Sequence, residues 1–271
     1  MSILFVVLMA ISIVALINTI LLPQPSIEKR ADGRQQFLTA LKSTFEMLKN
    51  SQVLLLVAFF LYTGFVRTFW VSIFPTCIKF STRIGNNTKM LSYSMIVTGV
   101  GQVAGSLLVT AVGKRVREFG RDLFVSSAIL VHIATFVLIY AAFPNEAPMR
   151  RTHLAGALMS PDALVALLSS FALGLADAVL QTQVYAYIAD LFRDDSSKLF
   201  AIFKFFSGLA TTFIFFVASN FSLLHHLLIL VLFALISMIC LICGQRCGPS
   251  RTDKIQPVLT SFRTNCIQCG N

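Results

Sequence analysis

Seven apolar stretches, each of about 20 residues or more, lie at 3–22, 53–78, 91–112, 123–143, 163–191, 199–219 and 224–243 of a 271-residue chain. An α-helix rises about 1.5 Å per residue, so about 20 apolar residues cross a hydrocarbon core of roughly 30 Å. Little chain is left between the stretches to build a water-soluble domain. The pattern predicts an all-α, polytopic membrane protein whose first partner is the lipid bilayer. Only 13% of the residues are charged, against about a quarter in soluble domains. Phe is frequent, but Leu, Val and Ile fill the same stretches, so the aromatics read as packing and lipid-facing surface.

The net charge of +10 is the one bulk property that could point to nucleic acid. Its placement argues otherwise. With the N-terminus outside, the inner segments 23–52, 113–122, 192–198 and 244–271 hold 15 Lys and Arg, and the outer loops 79–90, 144–162 and 220–223 hold 5. A threefold bias over short loops is the positive-inside signature, and no nucleic-acid partner is needed to account for the charge. The same bias favours 3–22 as a retained helix over a cleaved signal peptide. The start Met1-Ser2-Ile3-Leu4 also lacks a positively charged n-region.

Four segments follow: a transmembrane helix at 3–22, a cytoplasmic linker at 23–52, a six-helix bundle at 53–243 and a cytoplasmic tail at 244–271. The linker opens with Pro23 and Pro25 and then turns amphipathic, with Phe37, Leu41, Phe45 and Leu48 on one stripe. This predicts a surface helix on the inner face of the bilayer. Of the six cysteines, Cys266 and Cys269 have zinc-ligand spacing but no second pair of ligands. No metal site is predicted. The inner cysteines read as reduced thiols, with palmitoylation of Cys243 or Cys247 as the alternative.

Charged residues inside a bilayer are costly and usually face protein or water. The spans contain four: Arg67, Asp177, Asp190 and Lys204. Arg67 and Asp177 each lie 14 residues from the inner end of their span, about 21 Å deep, which makes them the depth-matched pair. Lys204, about 7.5 Å deep, is expected to meet Asp190 or to snorkel to the inner surface. Gly174, Asp177, Ala178, Gln181 and Tyr185 share a helical face, with Gln183 beside it. Lys204, Ser207, Gly208 and Thr211 form a second polar stripe, and Arg67 shares a face with Thr63, Gly64 and Trp70. Two readings stand: a hydrated central cavity with a gating or coupling role, or polar and small residues acting as helix–helix glue. Gly101 and Gly105 form a GxxxG pair, and they, Gly174 and Gly208 are expected at close helix contacts.

Several motifs in order carry a resemblance. They are Phe60-Leu-Tyr62-Thr63-Gly64-Phe65 before Phe69-Trp70, Gly99-Val-Gly101-Gln-Val-Ala-Gly105, Gly174-Leu-Ala-Asp177-Ala-Val-Leu-Gln181-Thr182-Gln183 and Phe200-Ala-Ile-Phe-Lys204-Phe. Over about residues 40–243 the chain resembles the Unc-ninety-three family of ion-channel regulators, within an orphan branch of the major facilitator superfamily. The resemblance implies the C-terminal six-helix half of a major-facilitator fold, preceded by the last helix of a missing N-terminal half. It implies an accessory subunit of a channel or other membrane protein, with a proton- or cation-coupled carrier of unknown small-molecule substrate as the alternative. Carrier sites lie between two repeats, so a missing half weighs against transport by this chain alone.

Gly113, Lys114, Arg115, Gly120 and Arg121 resemble the glycine-and-basic loop signature of major facilitators, and equally a positive-inside anchor. Asn86-Asn87-Thr88 is an N-glycosylation sequon in the first outer loop. No phosphate-binding loop, metal cluster or catalytic triad is present in the sequence, and neither an enzyme nor a cofactor is expected.

Overall fold

A computed structural model describes residues 2–21, 33–85, 87–119, 121–191, 195–218 and 220–246; the side chains of 2–5, 8, 33–38, 114–119, 121–122, 191 and 242–246 are left aside. Among the described residues every named element is helical, and the one strand-like pairing is an isolated bridge between Ser81 and Thr152. The helices are α1 (Ser2–Leu21), α2 (Gly33–Met47), α3 (Ser51–Thr68), α4 (Phe74–Phe80), α5 (Asn87–Phe119), α6 (Arg121–Ala142), α7 (Ala163–Leu191), α8 (Ser196–Val217) and α9 (Leu223–Arg246).

Residues 1–42 and 43–271 are separate compact units. In the first, α1 is a 20-residue apolar helix. Its described side chains from Val6 onward are exposed, as expected of a helix with lipid around it. In the second, six stretches are long and apolar enough to cross a membrane: Ser51–Phe80, Asn87–Gly113, Leu123–Ala142, Ala163–Asp190, Ser196–Val217 and Leu223–Leu241. They coincide with the six predicted spans of the bundle. The predicted span at 3–22 appears as α1, whose shorter stretch Met9–Leu21 is apolar. Within α2, Leu41 and Phe45 are exposed, while its last residue, Met47, and the adjoining Leu48 pack on the core.

The spans associate in a symmetric pattern. The main contacts of α3 are with α8 and α9, those of α7 are with α5 and α6, and α6 meets α9. Exchanging α3 with α7, α5 with α8 and α6 with α9 returns the same set, which is the signature of two three-helix repeats. It puts α3 and α7 at the centre. Their apolar windows are 67% and 56% buried, against 22% for α5 and α8.

Glycines set the two close crossings. A Cβ on Gly174 of α7 would strike the carbonyl of Thr98 in α5, and one on Gly101 or Gly105 would strike the Phe171 or Leu175 carbonyl in α7. A Cβ on Gly64 would strike the Ser207 carbonyl and stand 2.8 Å from the Ala210 Cβ, so α3 approaches α8 in the same way. Without a hydrophobic drive between helices in lipid, such backbone approach is what van der Waals packing needs. Gly208 differs from expectation. A Cβ added there would meet nothing within 4 Å, so Gly208 sets no close crossing among the described residues.

The hub of the core is aromatic. Phe60 meets Phe203 with ring centroids 5.1 Å apart, Phe65 meets Phe233 at 4.6 Å, and Phe69 meets Phe136 at 5.5 Å. Much of the phenylalanine content therefore joins α3 to α8, α9 and α6.

The basic segment after Gly113, expected as a loop, is helical as far as Phe119. Helix α5 runs unbroken to Phe119, because Lys114, Arg115, Arg117 and Glu118 are good helix formers and a single glycine costs only about 1 kcal/mol. At 33 residues it is about 50 Å long, so its end projects beyond the bilayer. Gly120 falls outside the described residues, as do the side chains of Lys114, Arg115 and Arg121. Asn86, Cys247, Cys266 and Cys269 also lie outside them.

On the opposite side the loops are tied down. Thr82 donates its hydroxyl to the Thr152 carbonyl at 2.9 Å, Arg83 donates to the His153 carbonyl at 2.6 Å, and Asn145 accepts the Leu224 amide at 2.8 Å on Oδ1. The last contact caps the N-terminus of α9.

Candidate functional site

Helix α3 is not regular through its middle. Phe69–Ile73 forms a π turn, followed at once by α4 with Pro75 near its start. Proline has no amide hydrogen to give, and single π turns inside helices recur at functional sites. The turn lies directly after Arg67 and contains Trp70.

Asp177 faces this irregular segment from the midpoint of α7. Its side chain is only 5% exposed. Gln102 of α5 donates its amide to Asp177 Oδ2 at 3.4 Å, a long hydrogen bond. The indole of Trp70, the amide of Gln181 and the guanidinium of Arg67 also act on the carboxylate, and Asp177 in turn acts on Tyr62. The site is thus assembled from α3, α5 and α7, with α5 held in register by Gly101 and Gly105.

Arg67 does not close on Asp177 as a contact pair. Among the described residues the ion pairs within 4.0 Å are Arg150–Glu146 and Lys198–Asp195, both local to one helix or turn. The guanidinium is exposed and exerts its field on Asp177 from beyond that distance. Depth matching identified two charges at one level of the bilayer, but the groups that meet the carboxylate are the neutral side chains of Trp70, Gln102 and Gln181. Gln102 stands inside the glycine motif of α5, whose spacing signals packing rather than a polar partner.

Among the described residues Lys204 has no acidic partner within ion-pair distance. Its Nζ donates to the Tyr185 hydroxyl at 3.4 Å and lies 5.6 Å and 5.1 Å from the rings of Tyr185 and Phe203. Cation–π contact of this kind holds an ammonium in place where no carboxylate is at hand. Gln183 turns away from Asp177. It is buried and, with Leu56, Phe60, Val125 and Tyr187, lines a small apolar pocket apart from Asp177.

Two further polar residues lie deep in the bundle and were not read from the sequence. The Tyr62 hydroxyl and His132 Nδ1 are 3.1 Å apart, and both side chains are fully buried. A lone histidine in the middle of the apolar stretch 123–143 was the available signal. Across α5 and α7, Ser94 and Ser170 pair at 2.8 Å, and Thr68 donates to Thr211 at 3.0 Å across α3 and α8. These bonds are the helix–helix glue.

The outer flank of α5 is the other distinctive feature. Gly99, Gln102, Val103, Ser106, Leu107 and Thr110 line an open trough of about 330 Å³. Gln102 therefore has the trough on one side and Asp177 on the other. On α8, Lys204, Gly208 and Thr212 are also exposed. Among the described residues no cluster of three His, Cys, Asp or Glu could hold a metal ion.

Comparison with known proteins gives two findings. Residues 1–242 match the family model described as Ion channel regulatory protein UNC-93. UNC93-like protein MFSD11 of Xenopus laevis and that of Xenopus tropicalis are each 34% identical to the chain over 200 residues. These matches cover 72% of the chain and 44% of each relative, so the chain matches less than half of their length. No solved structure matches.

Proposed function

The chain belongs to the UNC-93 family, an integral, multi-pass membrane family described as ion channel regulatory, and from that premise we propose that it acts as an accessory subunit of a channel or another membrane protein. The observation that carries this reading is the polar flank of α5 and α8. Gln102, Ser106 and Thr110 on α5 and Lys204, Gly208 and Thr212 on α8 lie at the surface of helices that span the hydrocarbon. Polar groups there are costly against lipid tails and normally face protein or water. Small residues beside them allow another helix to approach closely. A protein partner, or a second six-helix half, satisfies both.

Photo-crosslinking residues placed at Ser106 and Gly208 test this, with Leu232 on α9 as a lipid-facing control. The expected result is adducts to a membrane protein from the first two positions, and from Leu232 only lipid. Equal labelling at all three would remove the partner surface.

A second reading, a proton- or cation-coupled carrier, draws on the mid-span Asp177 beside the π turn of α3. Purified chain in vesicles discriminates the two. Solute uptake that Asp177→Asn abolishes would favour the carrier, and the accessory role predicts none.

A further inference from the structure

Two exposed cations stand inside the apolar stretches, Arg67 on α3 and Lys204 on α8. Charges at such depth pair with one another, with carbonyls or with water. Arg67 stands in the field of Asp177. Lys204 has no such carboxylate. Among the described residues its ammonium is met by the Tyr185 hydroxyl at 3.4 Å and by the rings of Tyr185 and Phe203. An ammonium has three N–H donors, and a phenol can donate its own proton while it accepts. One long hydrogen bond therefore leaves two donors of Lys204 and the Tyr185 O–H available. Lys204 is exposed and Tyr185 is 38% exposed, so the pair opens outward between α7 and α8.

The surface beside this pair suits a helix. Gly208, one turn further into the span than Lys204, leaves open space where a Cβ would stand. Thr212, a turn beyond, spends its hydroxyl on the Gly208 carbonyl at 3.0 Å. Exposed Phe205, Leu209 and Phe213 flank them with apolar surface. A cation followed by low relief thus runs along one face of α8 for about 12 Å. A lipid phosphate, held at the membrane surface about 7.5 Å away, needs no such relief.

We propose that Lys204 and Tyr185 form the docking point for a carboxylate carried on a partner's transmembrane helix, with a small residue one turn from that carboxylate seated on Gly208. One carboxylate oxygen accepts from the Lys204 ammonium and the other from the Tyr185 hydroxyl. The proposal rests on the accessory-subunit reading and adds the chemistry of the partner: Asp or Glu four residues from Gly, Ala or Ser. Such a helix leaves neither charge against lipid tails and fixes its own depth and register, whereas an uncharged helix leaves Lys204 unneutralised.

The probes are synthetic leucine-rich transmembrane peptides with Ala four residues from a guest position that holds Asp, Asn or Leu. Energy transfer from a fluorophore on the C-terminus of the full chain to a labelled peptide is measured in phosphatidylcholine vesicles at neutral pH. The Asp peptide should bind roughly fivefold or more tighter than the Asn peptide. Lys204→Gln should abolish that preference, Lys204→Arg should keep it, and Tyr185→Phe should reduce it. Lys204→Asp should transfer the preference to a peptide with Lys at the guest position, which a loss of folding cannot mimic. Equal binding of the three peptides, binding of none, or an Asp preference that survives Lys204→Gln would overturn the acidic partner, while crosslinking from Ser106 and Gly208 separately decides the partner surface itself. An Asp preference lost when phosphatidylglycerol is added to the vesicles would overturn it in favour of a lipid headgroup at Lys204.

Discussion

Gly64 of α3 lies so close to Ser207 of α8 that a single added carbon would collide with the Ser207 carbonyl. Gly174 and Thr98 repeat the relationship between α7 and α5. The two contacts are equivalents under the exchange that relates the three-helix repeats. They place the bundle's two central helices against its two most exposed ones, and so decide where Asp177 and Gln102 meet.

Close contact of backbone with backbone leaves no side chain to rotate away. Gly64→Val and Gly174→Val should each lower the thermal midpoint of the detergent-solubilised chain, by the equivalent of about 1–3 kcal/mol or more. Gly208→Val, with open space around it, should leave that midpoint unchanged while reducing crosslinking to a partner. Equal destabilisation by Gly208→Val would contradict the packing described for α8.

The Tyr62–His132 hydrogen bond is wholly buried, so truncating one partner strands the other. Tyr62→Phe should cost about 1–2 kcal/mol, within the range for buried polar pairs in membrane proteins. The double variant Tyr62→Phe/His132→Phe should recover part of the loss, read as coupling in thermal unfolding. Strictly additive losses would mean that the bond contributes nothing of its own.

The six spans of the bundle were legible in the sequence because bilayer thickness fixes how long an apolar helix must be. Lys114, Arg115 and Arg117 were read as loop because charge ends a span, yet charge does not end a helix, and α5 continues through them. Asp177 was legible as a mid-membrane carboxylate, since the other charge in its span, Asp190, lies one residue from the edge. Gln102 was not, because its role depends on which helix faces α7 and in what register. That register is set by Gly101 and Gly105, whose partners the sequence does not name. The π turn at Phe69–Ile73 has no residue signature apart from Pro75 downstream.

Asn145 reaches from the α6–α7 connection to accept the Leu224 amide on its side chain, while its carbonyl accepts that of Leu223 at 2.9 Å. Asn145→Ala should therefore cost about 1 kcal/mol and expose the first turn of α9 to faster amide exchange. Asn145→Asp keeps the acceptor and should retain protection there. Equal protection in Asn145→Ala would show that the backbone contact suffices.

The bias of Lys and Arg predicts a cytoplasmic location for the projecting end of α5. Reporters fused after residue 118 and after residue 260 should be cytoplasmic, and a tag at residue 155 should be labelled from the opposite side. A residue-118 reporter on the tag's side would reverse the orientation.

Arg67 and Asp177 share a depth without touching, and this separates two outcomes of a mutant cycle. A closed, buried ion pair broken at one end typically loses 3–5 kcal/mol, because the surviving charge is stranded. Here the guanidinium is exposed, so Arg67→Gln should be mild. Asp177→Asn removes a carboxylate held by the neutral side chains of Trp70, Gln102 and Gln181 rather than by a contacting cation. The double variant should then equal the sum of the singles within about 0.5 kcal/mol, as for sites that do not contact one another. Thermal unfolding of the four proteins under one set of conditions gives the answer. A large rescue in the double variant would mean that Arg67 swings inward and closes on Asp177, which would make the guanidinium, rather than the neutral side chains, the principal partner of the carboxylate.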